Sequence, residues 1–317
     1  VVNKIWARNG SVAVVDDSLA GCHGSNEFPM FTPIEGRLDP RWMHWITKTK
    51  DFWAQCDQKS QGTSGQNRIK PERFLEVEIP LPPLGEQRRI VARIEELAAK
   101  VEEARSLRAL SKAASGAFIA STHAALAAGD DEPLSAFLHL DEDAVPIEVG
   151  NSYPQAGVRG FGGGLFGKQP VIGGETTYRA FNRLYPGALV LSQVKGWEGA
   201  IAMTPPELEG YFVSPEYRTF RWRPDRVLPE YMAALVPTEF FWGRLKQVTR
   251  GVGARRERTR PERFLDLPFS MPSLEDQQRA LKMFSSIKAI QNLQTETAAE
   301  LDAIIPAILD KAFKGEL

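Results

Sequence analysis

Between Arg244 and Arg263 the chain carries eight Lys or Arg against two Glu, a local balance of +6 in a protein of formal net charge −1. Arg250, Arg255, Arg256, Arg258 and Arg260 are interleaved there with Gly251 and Gly253. Guanidinium groups in such a run bind phosphate oxygens or the edge of a guanine, and glycine lets a backbone approach a ligand closely. The opposite sign is gathered elsewhere, with seven acids and no Lys or Arg between Asp130 and Glu148. Segregation of this kind suggests one surface that faces a polyanion and another that faces away. A solvated loop beside an acidic linker fits the same residues.

Further candidates occur near other glycines. The loop Ser60–Lys70 offers amide and hydroxyl donors together with Arg68 and Lys70. Lys195 and Trp197 stand beside Gly199, as Trp6 and Arg8 stand beside Gly10, so a cation and an aromatic ring at a turn are available twice to grip a backbone and pack on a sugar. A tryptophan closing a core beside an exposed lysine would look the same. Gly162–Lys168 fits the spacing G-x-x-x-x-G-K, but Gln169 stands where a nucleotide-binding loop needs Ser or Thr, and no buried strand precedes it. A glycine-rich loop with Arg159 and Lys168 near a polyanion is the better functional reading, and a plain surface turn remains open. Pro82-Pro83 follows Leu81 and Pro205-Pro206 follows Thr204, so no Asn/Asp-Pro-Pro-aromatic methyltransferase signature is present. No carboxylate cluster is spaced for two-metal nuclease chemistry, and two cysteines with four histidines suggest neither a disulfide framework nor a zinc site.

The elements that position these residues are repeated. Pro-Glu-Arg-Phe-Leu occurs at Pro71–Leu75 and at Pro261–Leu265, followed each time by a proline-rich apolar run and an acid–Gln pair, Glu86-Gln87 and Asp276-Gln277. Upstream, Phe52-Trp53 pairs with Phe241-Trp242, Pro40 with Pro229, Glu27-Phe28 with Glu216-Tyr217, and Gly10 with Gly199, all 189 positions apart. So long a period indicates a duplicated domain-plus-helix unit rather than a solenoid. About 58 residues ahead of Leu191 have no counterpart ahead of Val1, so the first domain is expected to lack its N-terminal portion. Short strands are expected at Ser11–Val15, Glu76–Leu81, Ala188–Val194, Gly199–Met203 and Tyr217–Trp222, and helices over Pro40 to about Cys56 and Pro229 to Val248.

Two longer segments differ in kind. Ile90, Ile94, Leu97, Val101 and Ala104 follow a four-three spacing, then Leu107, Leu110, Ala114, Phe118, Ser121 and Ala125 resume it after a phase slip. In the second segment Ala280, Phe284, Ile287, Gln291, Gln294, Ala298, Leu301, Ile305, Ile308 and Ala312 keep the spacing, with Ser273 and Asp276 as a start signal and Pro306 as an expected kink or last turn. The fold class expected is α+β: two mixed domains, the first N-terminally truncated, separated by two long antiparallel coiled-coil helices. The boundaries expected are 1–83 and 131–272 for the domains, and 84–130 and 273–317 for the helices.

The stretches Pro71–Ile90 and Pro261–Ala280, with the ending Ile304–Leu317, resemble the specificity subunit of type I restriction–modification systems. The resemblance implies a non-catalytic DNA-binding protein in which each target-recognition domain reads half of a split double-stranded DNA site, so different side chains in the two loops would suit different sequences. It also implies as partners two adenine methyltransferase subunits docked on the helices, joined by restriction-translocase subunits. No cofactor of its own is implied, since S-adenosylmethionine and ATP with magnesium belong to those partners. The missing front of the first domain departs from the family pattern and bears on whether that half reads DNA. The rival reading is a coiled-coil scaffold whose two domains bind proteins. The absence of a long apolar run argues against a membrane span, and a reducing cytoplasmic setting is expected.

Overall fold

The computed structural model describes residues 1–62, 67–127, 129–249 and 258–317. It divides into two compact units, Val1–Arg108 with Gln294–Leu317, and Ala109–Leu293. Helices and mixed sheets together make the α+β class expected.

In the first unit, helices α1 (Pro40–Ile46) and α2 (Lys50–Gln58) begin where the sequence supplies caps. Asp39 accepts a hydrogen bond from Arg41 N at 2.9 Å, and Thr49 accepts one from Phe52 N at 3.3 Å. The single helical patch expected to Cys56 is therefore two helices, because Thr49 caps a new start. Trp42, Trp45, Ile46, Phe52 and Cys56 are buried, and Phe74 joins them from α3 (Pro71–Phe74), the first Pro-Glu-Arg-Phe block. This cluster closes on Ile90, Val91 and Ile94 of α4 (Leu84–Leu126) and on Leu309 and Ala312 of the C-terminal helix Ala298–Phe313. The runs Ser11–Val15 and Glu76–Leu81 form no ladder, and Val12 makes only an isolated bridge with Val2. Their strand propensity goes unused because nothing among the described residues of this unit lies alongside as a partner.

Helix α4 is 43 residues long, about 65 Å at the α-helical rise. Its seam corrects the sequence reading. Leu107, Leu110 and Phe118 are 59%, 66% and 42% exposed, and Ala114, Ser121 and Ala125 are exposed as well, whereas Ile119 and His123 are buried. The inward face runs through Val101, Ala104, Arg108, Ser111, Ser115, Ile119 and His123 without a phase slip. Small and polar residues occupy that face, so apolar content alone pointed to the wrong stripe. In the first unit Arg108 donates to Thr297 Oγ1 at 2.7 Å and Arg105 to Asp302 at 3.3 Å.

The second unit adds eleven strands: β1 (Glu132–Pro133), β2 (Leu138–Leu140), β3 (Asp143–Pro146), β4 (Ser152–Val158), β5 (Leu165–Ile172), β6 (Ala180–Arg183), β7 (Leu189–Ser192), β8 (Ile201–Met203), β9 (Phe212–Val213), β10 (Tyr217–Trp222) and β11 (Pro268–Phe269). They form sheets ordered β2-β10-β7-β8, β3-β6-β9-β4-β5 and β1-β11, antiparallel except where β4 meets β9. Helices α5 (Pro229–Leu235), α6 (Glu239–Trp242) and α7 (Leu245–Val248) replace the one helix expected there, since Pro237 and Gly243 interrupt it. Helix α8 (Pro261–Leu265) is the second Pro-Glu-Arg-Phe-Leu block and buries Phe264. Helices α9 (Leu274–Glu296) and α10 (Ala298–Phe313) follow, divided at Thr297, while Pro306 lies within α10 rather than at a break. At the start of α9, Asp276 N donates to Ser273 Oγ at 3.1 Å; at the start of α4, Glu86 N and Gln87 N donate to the carbonyl of Pro83.

One joint is built twice. Gln87, fully buried, accepts from Asp39 N at 3.0 Å and donates to Arg37 O at 2.9 Å and Pro82 O at 2.8 Å. Gln277, also fully buried, accepts from Leu228 N at 2.8 Å and donates to Arg226 O at 2.9 Å and Pro272 O at 2.8 Å. Each glutamine thus ties the first turn of a long helix to the lead-in of α1 or α5. Elements between Glu132 and Arg183 have no counterparts among the described residues of the first unit.

Candidate nucleic-acid interface

A glycine turn is the hub of each unit. In the second it is Gly196–Glu198, closed by Gly199 at φ 75°. A Cβ on Gly199 would stand 2.6 Å from the ring of Trp242, so the left-handed backbone and the close approach both require glycine. The first unit repeats this at Ala7–Asn9, closed by Gly10 at φ 81° against the ring of Trp53. The repeated Gly–Trp pair of the sequence is therefore a packing contact.

Two cationic elements hang on the second hub. The hairpin between β4 and β5 docks its tip there, with Phe161 N donating to Glu198 O at 2.6 Å and Gly162 N to Gly199 O at 3.2 Å. Phe161 adopts φ 55°, meets Trp242 edge-on at 5.8 Å and is 68% exposed. The glycine-rich spacing Gly162–Lys168 thus runs into strand β5 and not into a helix, which is not the geometry of a phosphate loop. Arg159 lies over the ring of Phe166 at 4.3 Å, and Lys168 lies between Phe166 and Tyr217, at 5.7 Å and 5.9 Å. Burial raises the Tyr217 phenol above its ordinary pKa, while a backbone hydrogen bond at Val158 and the charge of Lys195 act against it. On the other side of the hub, Thr259 N donates to Gln193 O at 2.9 Å and Gly196 abuts the Thr259 side chain. This fixes Arg258, paired with Glu216 at 2.5 Å, and Arg260, exposed at the N-cap of α8. Lys195 is exposed and reaches Glu198 at 3.5 Å, while the indole N–H of Trp197 is buried without a partner among the described residues.

The first hub holds the corresponding set. Ile69 N donates to Lys4 O at 2.9 Å, as Thr259 N does to Gln193 O. Arg68 pairs with Glu27 at 3.2 Å, as Arg258 does with Glu216, and Lys70 caps α3 as Arg260 caps α8. Arg8, in the place of Trp197, approaches Asp57 at 3.8 Å, and Trp6, in the place of Lys195, is 51% exposed. Candidates Arg250, Arg255 and Arg256 lie outside the described residues.

The structure therefore gathers Arg159, Lys168, Lys195, Trp197, Arg258 and Arg260 around one turn, and Arg8, Arg68 and Lys70 around the other. Sequence reasoning gave no role to Glu27 and Glu216, although their repeat at the 189 spacing was the signal. Phe161 and Tyr217 also escaped it, since only the hairpin brings them to the hub. Exposed ion pairs such as Arg68–Glu27 and Arg258–Glu216 contribute at most about 1 kcal/mol, so a phosphate can replace the carboxylate at small cost. No cluster of His, Cys, Asp and Glu able to hold a metal occurs among the described residues, nor is any helix among them long and apolar enough to cross a membrane.

A family model described as the type I restriction modification DNA specificity domain matches residues 2–109. The chain carries a type I specificity domain. That domain contains the first hub with Arg8, Arg68 and Lys70, and it runs into the first half of α4. A solved structure concerned with complex assembly and conformational transition of the type I R-M system is 20% identical over 89% of this chain and 72% of its own, with a TM-score of 0.51, a likeness of fold. The HsdS subunit from Thermoanaerobacter tengcongensis is 22% identical over 89% and 71%, with a TM-score of 0.38, and the S subunit from M. genitalium 12% identical over 87% and 73%, with 0.45. No curated protein matches the chain.

Proposed function

We propose that this chain is the DNA-reading subunit of a type I restriction–modification complex. Each hub faces one part of a split duplex target, and the long helices set the separation and dock two adenine methyltransferase subunits, which restriction-translocase subunits join. Cofactors, S-adenosylmethionine and ATP with magnesium, act on those partners, in the cytoplasm. The observation that carries the reading is one scaffold used twice with different side chains at matching places: Arg8 and Trp197, Trp6 and Lys195, Lys70 and Arg260. A shared backbone with divergent donors is what two different sequence preferences need. The +6 segment beside the second hub supplies phosphate attraction there.

The test is selection of the full chain on a random-duplex library at low and high salt. An enriched motif with affinity falling steeply as salt rises is expected. Binding that ignores salt, or that enriches nothing over the input library, overturns the reading.

A further inference from the structure

The two units share a scaffold but bury it differently. In the second, Glu132–Leu140 crosses it: β1 pairs with β11, Leu134 N donates to Leu267 O at 2.9 Å, and β2 pairs with β10. Leu134, Phe137 and Leu138 are at most 1% exposed, and beneath them Phe220, Val227, Met232, Phe264, Leu267 and Phe269 are at most 2% exposed. Glu132 pairs with Arg226 at 2.5 Å, and that guanidinium also covers the ring of Phe137 at 4.9 Å.

The matching residues of the first unit are Phe31, Leu38, Met43, Phe74, Val77 and Ile79. They line an open groove of about 560 Å³. Its rim is apolar too, with Met30, Ile34 and Leu75 between 65% and 70% exposed. Arg37 stands in the place of Arg226, exposed and paired with no carboxylate among the described residues. The backbone is matched as well. In the second unit Arg223 N donates to Phe137 O at 2.8 Å, so by strand alternation Arg221 and Arg223 turn their N–H groups toward β2 and Trp222 does not. Thr32 and Ile34 occupy the first two of those places, and neither N–H donates to any described residue. Pro33, which has no N–H, falls in the place of Trp222, where none is needed.

From this match we infer that the groove is a docking site for an extended polypeptide segment of a partner protein, one bearing an acidic residue two positions ahead of a Leu-x-x-Phe-Leu pattern. The segment adds as an edge strand on Thr32 and Ile34, buries its Leu and Phe-Leu side chains on the floor, and sets its carboxylate on Arg37. Apolar floor, alternate free N–H groups and a lone cation together select a peptide over a lipid or a small apolar ligand.

A fluorescent peptide with the sequence of residues 130–141 is the probe, titrated into the full chain. Saturable one-to-one binding is expected, and a peptide carrying Leu134→Asp and Phe137→Asp should not bind. The protein variant Arg37→Glu should weaken binding about tenfold, the worth of one charge-assisted pair, and a Glu132→Arg peptide should recover it. The Arg37 side chain is exposed and Gln87 uses only its backbone carbonyl, so this variant should keep the wild-type thermal midpoint. Absence of saturable binding overturns the inference, as does wild-type affinity in Arg37→Glu. A chain dimer that excludes the peptide and is broken by Met30→Asp would assign the groove to a second copy and overturn it equally.

Discussion

Replacing Gln277 by leucine keeps the bulk of the side chain and deletes its amide. The side chain has no exposure, and its three hydrogen bonds, to Leu228 N, Arg226 O and Pro272 O, all lie between 2.8 and 2.9 Å. A net contribution of about 1 kcal/mol per bond gives a loss of about 3 kcal/mol, because the stranded backbone groups have no water to turn to. For a unit of the size of Ala109–Leu293 that corresponds to a fall in its melting midpoint of roughly 6–12 °C. Gln277→Glu separates the roles of the two amide atoms. It retains an acceptor for Leu228 N–H but turns oxygen toward two carbonyls, so it should be at least as damaging at neutral pH and partly recover in acid, when the carboxylic acid can donate once. Differential scanning calorimetry of both variants, with circular dichroism to confirm the fold, is the assay. A Gln277→Leu loss below about 0.5 kcal/mol would refute the joint as a source of stability.

Other expectations concern single residues. Burial, with Arg244 nearby, pushes the His123 imidazole down to about 4, and its ring nitrogen meets Tyr231 OH at 2.7 Å. The unfolded chain therefore binds a proton that the folded one refuses, so stability is full above about pH 6.5 and falls by about 3 kcal/mol on acidification to pH 4, a slope that His123→Gln should flatten in urea titrations. Gly199→Ala should destabilise the second unit by about 2 kcal/mol or more, from the left-handed backbone and the Trp242 ring together, read as a lowered urea midpoint. On the proposed function, Arg258→Ala should weaken duplex binding and lower its salt dependence by about one counterion, whereas Glu216→Gln, which frees the arginine, should strengthen binding. Fluorescence titration at several salt concentrations reads both.

Much of this architecture was legible because it was written twice. The 189-residue offset joined Gly10 to Gly199 and Trp53 to Trp242, and each pair proves to be the same ring against the same turn. The acid–Gln pairs stood out for the same reason, though only coordinates show that the glutamine and not the acid makes the joint. Helix phase was less legible. The inward face of α4 is carried past Val101 by Ala104, Arg108, Ser111 and Ser115, while Leu107 and Leu110 point outward, and a hydrophobic pattern reverses that order. The hairpin was hidden as well, because docking of Phe161 and Gly162 on Glu198 and Gly199 is a tertiary contact with no local sequence period. The strands expected in the first unit failed for a nonlocal reason too, since a β run needs a neighbour to pair with.

On the globular side, each glutamine clasp touches only backbone: N–H of Asp39 or Leu228, and C=O of Arg37 or Arg226. Main-chain atoms are common to all twenty amino acids, so the linkage places almost no demand on residue identity there. The exposed residues around each hub can accordingly drift, be exchanged or be redesigned while the attachment to the rod-like helix is left intact. A clasp indifferent to side chains makes each globular half an interchangeable head, free to acquire new preferences without relearning how to be held.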